Sequence, residues 1–252
     1  MKITVITVCF NSADSIVDTL TSVASQNHPN IEHIVIDGGS TDRTLDVVRE
    51  RGRHVARLIS ELDRGIYDAM NKGIRIATGD VVGFINADDF YPAPDVLSKV
   101  ANIFADSEID ACYGDLCYVK KLKTAEVVRY WRSRAFTPGL FAKGWCPPHP
   151  TLFVRREIYM RFGGFNLNFP MAADMELMAR LVEVHRIRTL YLPYVLVYMR
   201  LGGTSNRSLR NILQQNREIW QALKAHRLDA SLVSFVCRKL VARGQQFLVR
   251  PS

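Results

Sequence analysis

No uncharged apolar run in the 252 residues reaches the ~20 positions that a membrane-spanning helix requires, so no segment is expected to cross a bilayer. The start, Met1-Lys2-Ile3-Thr4-Val5, lacks a cationic head followed by a long apolar stretch, and no secretory leader is expected. Cysteine is sparse: Cys9, Cys112, Cys117, Cys146 and Cys237 are scattered, odd in number and never spaced Cys-x-x-Cys. That argues against a disulfide framework or a thiolate zinc site and fits a reducing cytoplasm. After the first apolar strand, Cys9-Phe10-Asn11-Ser12-Ala13 lacks the G-x-G-x-x-G turn that a dinucleotide-binding oxidoreductase requires. Repeats, low-complexity stretches and flexible linkers are also missing, so one globule is expected.

Charge is present, but unevenly. From residue 200 onward ten basic residues face only Glu218 and Asp229, which accounts for the whole formal excess of +8. Residues 1–199 are neutral overall, which argues against a nucleic-acid-binding body. In Leu228–Arg250, apolar Leu232, Val236, Leu240 and Phe247 mix with Arg238, Lys239, Arg243 and Arg250. This pattern suits an interfacial helix on an anionic membrane surface, or packing against the body or a second subunit.

The first half alternates apolar strands with helical patterns. Strands are expected at Ile3–Val8, Ile31–Asp37, Arg57–Ser60 and Val81–Ile85. Helices are expected after Asn11-Ser12, which can cap the first, then over Thr41–Arg51, Ile66–Ala77 and Asp95–Ala105. Such alternation predicts right-handed βαβ units and a mostly parallel sheet, whose ligands bind beyond the carboxyl ends of the strands. Beyond residue 108 a hairpin is expected from Cys112–Val119 and Val127–Trp131. Helices Glu157–Phe162 and Ala173–Val184, short strands Thr189–Leu192 and Val195–Tyr198, and helices Ser208–His226 and Ala230–Val249 follow. Residues 1–107 read as a nucleotide-binding half, 108–206 as an acceptor half of the same globule, and 207–252 as basic C-terminal helices.

Acidic clusters stand where that rule places a ligand. Asp88-Asp89 follows the fourth strand in Phe84-Ile85-Asn86-Ala87-Asp88-Asp89-Phe90. Adjacent carboxylates repel one another, and a divalent cation with oxygen ligands reverses that cost. The plain alternative is an acidic loop capping the next helix. In Asp37-Gly38-Gly39-Ser40-Thr41-Asp42-Arg43-Thr44 a strand-end carboxylate can accept from a nucleobase or ribose, and glycines let a ligand approach the backbone. Ser40 and Asp42 can equally be caps of the following helix, whose N-terminus favours anions.

Together these stretches resemble the inverting family 2 glycosyltransferases of the GT-A fold, through D-x-S-x-D-x-T and DxD-type elements. Thr7-Val8-Cys9-Phe10-Asn11 resembles the family's opening strand end. Ser60-Glu61-Leu62-Asp63-Arg64-Gly65-Ile66-Tyr67-Asp68-Ala69-Met70-Asn71-Lys72-Gly73 is similar to the signature of bacterial exopolysaccharide, capsule and colanic-acid transferases. The resemblance covers residues 3–206. It implies an α/β fold of GT-A (Rossmann-like) type with a mostly parallel central sheet and C-terminal helices. It also implies transfer of a sugar from a nucleotide-diphosphate donor, a UDP-sugar favoured, to a glycan or lipid-linked saccharide, with Mn²⁺ or Mg²⁺. The enzyme is then expected in the cytoplasm, against the inner face of the cytoplasmic membrane.

By resemblance Thr7, Asn11, Asp37, Asp63 and Asp88 face the base or ribose, Asn71 lies near the donor pocket, and Asp89, with Asp88, holds the metal. Two positions depart from the family pattern: Arg43 stands in place of glycine, and Asn86 in place of the first DxD aspartate. Asp174, in Ala172-Ala173-Asp174-Met175-Glu176-Leu177, resembles the family's base element. It is preferred to Glu176, which lies roughly 200° around a helix from it, though Asp174 can also serve as a helix cap. His149, in an H-x-x-x-F core, has either a phosphate, an acceptor or a structural role. Arg200, Gly202, Gly203 and Ser205 resemble a G-G-x-S loop that would fold over the diphosphate, or form a surface loop. Gln214-Gln215-Asn216-Arg217-Glu218 lacks the tryptophan of the processive Q-x-x-R-W motif, which predicts addition of single sugars. A sugar-nucleotide pyrophosphorylase would carry a Gly-rich basic loop after the first strand. The remaining rival is a catalytically inactive nucleotide- or glycan-binding relative.

Overall fold

Every residue of strand β1 (Ile3–Cys9) is buried, as expected of a central strand covered on both faces. It pairs in parallel with β2 (Ile31–Asp37) on one side and β4 (Val81–Asn86) on the other, and β2 carries the parallel edge strand β3 (Val55–Ser60). The computed structural model describes residues 1–202, 209–228, 244 and 246. The expected helix Ala230–Val249, and with it the amphipathic membrane-facing surface, lies largely outside the described residues, as do Gly203 and Ser205. Among the described residues no helix is long and apolar enough to cross a membrane.

The connecting helices are α1 (Ile16–Ala24), α2 (Thr44–Arg51), α3 (Ile66–Ile76) and α4 (Val96–Ile103). The sheet runs β3-β2-β1-β4-β7-β5-β6, with β8 paired to β5. Register places Cys9 opposite Asp37, Asp37 opposite Ser60, and Val8 opposite Asn86. The carboxyl ends of four parallel strands therefore share one edge, which carries Asn11, Asp37, Asp63 and Asp88.

The second half joins the same sheet. β5 (Ala111–Val119) and β6 (Val127–Trp131) form the expected antiparallel hairpin. Between β4 and β5 lies β7 (Phe153–Arg155), three residues that the periodicity did not reveal, antiparallel to both. A strand this short carries too little alternation to be read. Gly83 admits it, because a Cβ there would collide with the Phe153 ring. The two short strands expected near the end are one strand, β8 (Thr189–Arg200), and its pairing with β5 shifts register around Asp115. Pro193 breaks the sequence pattern, and the irregularity absorbs it.

α5 (Arg156–Phe162) precedes α6 (Ala173–Met178), which continues as a π-helical segment, Ala179–Val184, and α7 (Leu209–Ala225) packs against α6. Glu176 of α6 is fully buried and receives Arg180 Nε at 2.8 Å and His226 Nε2 at 2.7 Å. Arg180 also donates to the carbonyls of Phe162 and Gly164. Removing one partner of a buried ion pair strands the other charge, so Arg180→Met is expected to cost about 3 kcal/mol or more in urea unfolding.

At the opposite edge of the sheet, buried Glu32 opposes its own burial by accepting from Thr78 (Oγ1 2.6 Å, N 2.8 Å), Thr4 (2.7 Å) and Lys2 (3.2 Å). Burial raises its pKa, but these bonds outweigh it and hold the carboxyl at about 2 against an ordinary 4.5. The resulting stability is complete above pH 4.5 and is lost as pH falls towards 2. Glu32→Gln should therefore lose less stability than the native chain across that interval in pH-dependent unfolding.

Candidate active site

The β1–α1 and β2–α2 loops are laced together at the shared edge. Asn11 adopts a left-handed conformation (φ 49°), which asparagine tolerates, and its Oδ1 accepts from Thr41 N (2.9 Å) and Asp42 N (3.3 Å). It thus caps the neighbouring loop and not the helix that follows it. Asp42 Oδ1 accepts from Thr44 N at 2.9 Å at the start of α2, as its expected capping role requires. Arg43 sits at φ −80°, an ordinary conformation that needs no glycine.

Asp37 is fully buried and organises this edge from within. It accepts from Ser40 N (2.9 Å), Gly39 N (3.1 Å), Ser60 Oγ (2.7 Å) and the Ser40 hydroxyl. Burial raises its pKa, and the bonds from Ser40 and Ser60 overcome that and lower it. These bonds shape the Gly38-Gly39-Ser40 turn. Asp63 closes over that turn: a Cβ on Gly38 would lie 2.6 Å from its Oδ2, while Oδ1 accepts Gly65 N at 2.9 Å.

Thr7 is turned to an internal partner. It is fully buried, and its hydroxyl lies 2.9 Å from His33 Nε2, whose Nδ1 is 2.9 Å from His54. Burial, then His54, holds His33 at about 3, so that ring is neutral. Asn71 likewise has an internal partner. Its amide donates to the Phe165 carbonyl at 2.9 Å and accepts the Phe165 N–H at 2.8 Å, fastening α3 to the loop before α6.

The acidic pair divides by exposure. Asp88 is half-buried, whereas Asp89 is 1% exposed, with Oδ2 accepting from Asn86 Nδ2 at 3.0 Å. Asp89 Oδ1 and Asn86 Oδ1 are buried without a hydrogen-bond partner. Burial, then the Asp88 charge, raises the Asp89 pKa well above the usual carboxylate range. Unpartnered acceptor oxygens beside two carboxylates fit a hard divalent cation. No group of three or more His, Cys, Asp or Glu side chains able to hold a metal occurs among the described residues. The set thus fits a cation that completes its shell with phosphate and water oxygens.

Arg200, expected at the diphosphate, is buried and braces this loop. Its guanidinium donates to the Asp88 carbonyl at 2.7 Å, pairs with Asp18 and lies 5.0 Å over the Phe90 ring. Gly202 is exposed at φ +114°. His149 is buried between Phe84 (5.6 Å) and Phe165 (5.3 Å), and burial lowers its pKa against the opposing charge of Asp174. That is an internal position, and its Nε2 is buried without a hydrogen-bond partner.

Asp174 is half-buried in the first turn of α6, with Oδ1 accepting Tyr67 Oη at 3.0 Å and Met175 N at 2.8 Å. The Tyr67 bond joins the acceptor-half carboxylate to the start of α3, and hence to the shared edge. Sequence reasoning assigned nothing to Tyr67, nor to Phe10 and Leu62, which stand 60% and 84% exposed at the same edge. Apolar side chains lying just past a strand end were the available signal for Phe10.

A mostly parallel sheet with acidic loops at one carboxyl edge, extended by a mixed second half, is the architecture of the GT-A fold. S. aureus TarS 1–349, also solved with UDP and with UDP-GlcNAc, superposes with a TM-score of 0.68 at 19% identity, over 96% of this chain and 72% of that one. The mannosyltransferase PcManGT from Pyrobaculum calidifontis, in complex with GDP-Man and Mn²⁺, gives 0.66 at 22% identity, over 100% and 76%. At those identities the likeness is one of fold. The chain belongs to glycosyl transferase family 2, whose family model matches residues 4–163. A PGL/p-HBAD biosynthesis glycosyltransferase of Mycobacterium bovis is 33% identical over 192 residues, 74% of this chain and 72% of that protein.

Proposed function

We propose that this glycosyltransferase moves one sugar, with inversion, from a nucleotide-diphosphate donor to a saccharide or lipid-linked saccharide in surface polysaccharide assembly. The observation that supports the reading is the 3.0 Å bond from Tyr67 to Asp174, which ties a half-buried carboxylate to the start of α3. TarS with UDP-GlcNAc and PcManGT with GDP-Man and Mn²⁺ support a nucleotide-diphosphate donor, a UDP-sugar favoured, and a divalent cation. The mycobacterial relative, named for PGL/p-HBAD biosynthesis, supports a role in glycan assembly. Work on such acceptors fits a cytoplasmic enzyme at the inner membrane face, with the basic tail against anionic lipid.

Asp174 acts as general base. Its Oδ2 takes the proton of the acceptor hydroxyl as that oxygen attacks the anomeric carbon, and the bond from that carbon to the diphosphate oxygen breaks on the opposite face. Asp88, with Asp89 and Asn86, would hold Mn²⁺ or Mg²⁺, which when bound neutralises the departing diphosphate. Asp63 and the exposed Phe10 ring receive the nucleoside, and the Asn11 and Asp37 loops form its floor. Exposed Gly202 lies against the phosphates. Thr7, Asn71, Arg200 and His149 support this frame from inside.

The test is release of nucleotide by the purified protein from UDP-, GDP- and dTDP-sugars with Mn²⁺, with Mg²⁺ and with EDTA. Metal-dependent release from one donor is the expected result. Failure both to bind and to hydrolyse every donor would overturn the reading in favour of an inactive relative.

A further inference from the structure

Tyr67 occupies the first turn of α3, in a signature whose tyrosine has no role in the scheme above. Its phenol crosses 107 residues of sequence to reach Asp174 Oδ1 at 3.0 Å. The same oxygen accepts the Met175 N–H at 2.8 Å. Both donors thus fall on Oδ1. A carboxylate pinned through one oxygen presents the other in a fixed direction.

Each partner of this bond is itself held. The Tyr67 ring stacks on Phe165 at 5.4 Å, and the Phe165 backbone is clasped at both N–H and carbonyl by Asn71. Arg180 holds the carbonyls of Phe162 and Gly164 just before it. On the Asp174 side, α7 grips the preceding turn: Glu218 accepts Met171 N at 2.7 Å and Gln215 donates to its carbonyl at 3.4 Å. The phenol and the carboxylate therefore meet between two fixed backbones, the preorganisation that a proton transfer requires.

The charges around the pair keep the phenol a donor. Burial, then the Asp174 charge, raises the Tyr67 pKa well above its ordinary value, and Glu218 adds to the shift. His149 faces Asp174 from the neighbouring turn as a buried ring held towards neutrality. Glu176, two residues on, is occupied by Arg180 and His226.

We propose that Tyr67 is a positioning residue for the base: it fixes Asp174 through Oδ1 so that Oδ2 points to the acceptor hydroxyl. The inference rests on the assignment of Asp174 as base. Tyr67→Phe keeps the ring and its stack on Phe165 and removes only the bond. It should lower kcat about tenfold, the worth of one hydrogen bond to a charged group, with the donor KM unchanged. In an Asp174→Asn background the same substitution should cost nothing more. Full additivity, or a native kcat in Tyr67→Phe, would overturn the proposal.

Two further arms do not need the acceptor or a well-behaved phenylalanine variant. With ¹³C-labelled aspartate, the carboxyl resonance that disappears in Asp174→Asn should move in Tyr67→Phe, and an unmoved resonance would overturn the contact. Fluorotyrosine at position 67 keeps the shape and donates more strongly, so it should slow donor hydrolysis with no loss of stability. A native hydrolysis rate there counts against the proposal. If Asp174→Asn instead retains full turnover while the ¹³C contact is present, the base assignment has failed and the contact has not.

Discussion

Asp174→Asn is expected to fold, to bind donor with native affinity, and to lose about three orders of magnitude in turnover, within the span that general-base catalysis supplies. The amide keeps the size of the side chain and can still accept from Tyr67 and Met175, so the local structure has no reason to change. What disappears is a lone pair basic enough to take the acceptor proton. Glu176 cannot substitute for it, because it is 1% exposed and already paired with Arg180 and His226. Steady-state rates beside a thermal melt check this: a native melt with a residual rate near background is the expected outcome. Turnover within a few-fold of native would remove Asp174 from the mechanism.

Asp88→Ala is expected to abolish stimulation by Mn²⁺ and to lower turnover about a hundred- to a thousandfold, the range seen when one electrostatic stabiliser of a transition state is lost. Asp88 is the half-buried carboxylate of the pair, whereas Asp89 is enclosed and hydrogen-bonded to Asn86. Sequence reasoning preferred Asp89 as the ligand with Asp88 nearer the ribose, and the difference in burial makes Asp88 the first to test. Metal titrations of Asp88→Ala and Asp89→Asn separate the roles. Loss of the metal response only in Asp88→Ala makes Asp89 a support of the loop. Loss in both makes them joint ligands, and a native response in Asp88→Ala sinks the assignment.

The acidic edge was legible because it depends on topology alone. Strand–helix alternation implies a parallel sheet, and a parallel sheet brings its strand ends together wherever the side chains point. Side-chain direction was not legible. Thr7, Asp37 and Asn71 lie in the stretches that resemble donor-binding elements, yet each is turned to an internal partner: His33, the Gly39-Ser40 turn and the Phe165 backbone. A motif records that a residue type is required at a position. It does not record whether the requirement comes from a ligand or from the loop that surrounds the ligand. Arg200 is the same case, since an arginine near a glycine loop is equally apt for a phosphate and for the Asp88 carbonyl.

By itself the sequence determined the strand–helix order of the first half and the edge that its strand ends share, because these follow from periodicity, spacing and local turn chemistry, while the family followed from the resemblance its motifs carry. Only the tertiary structure decided that β7 enters the sheet, that β8 is continuous past Pro193, and that Tyr67 meets Asp174. Each of these depends on contacts between residues far apart in the chain, and local pattern holds no information on which distant partner a short strand or a single phenol will find.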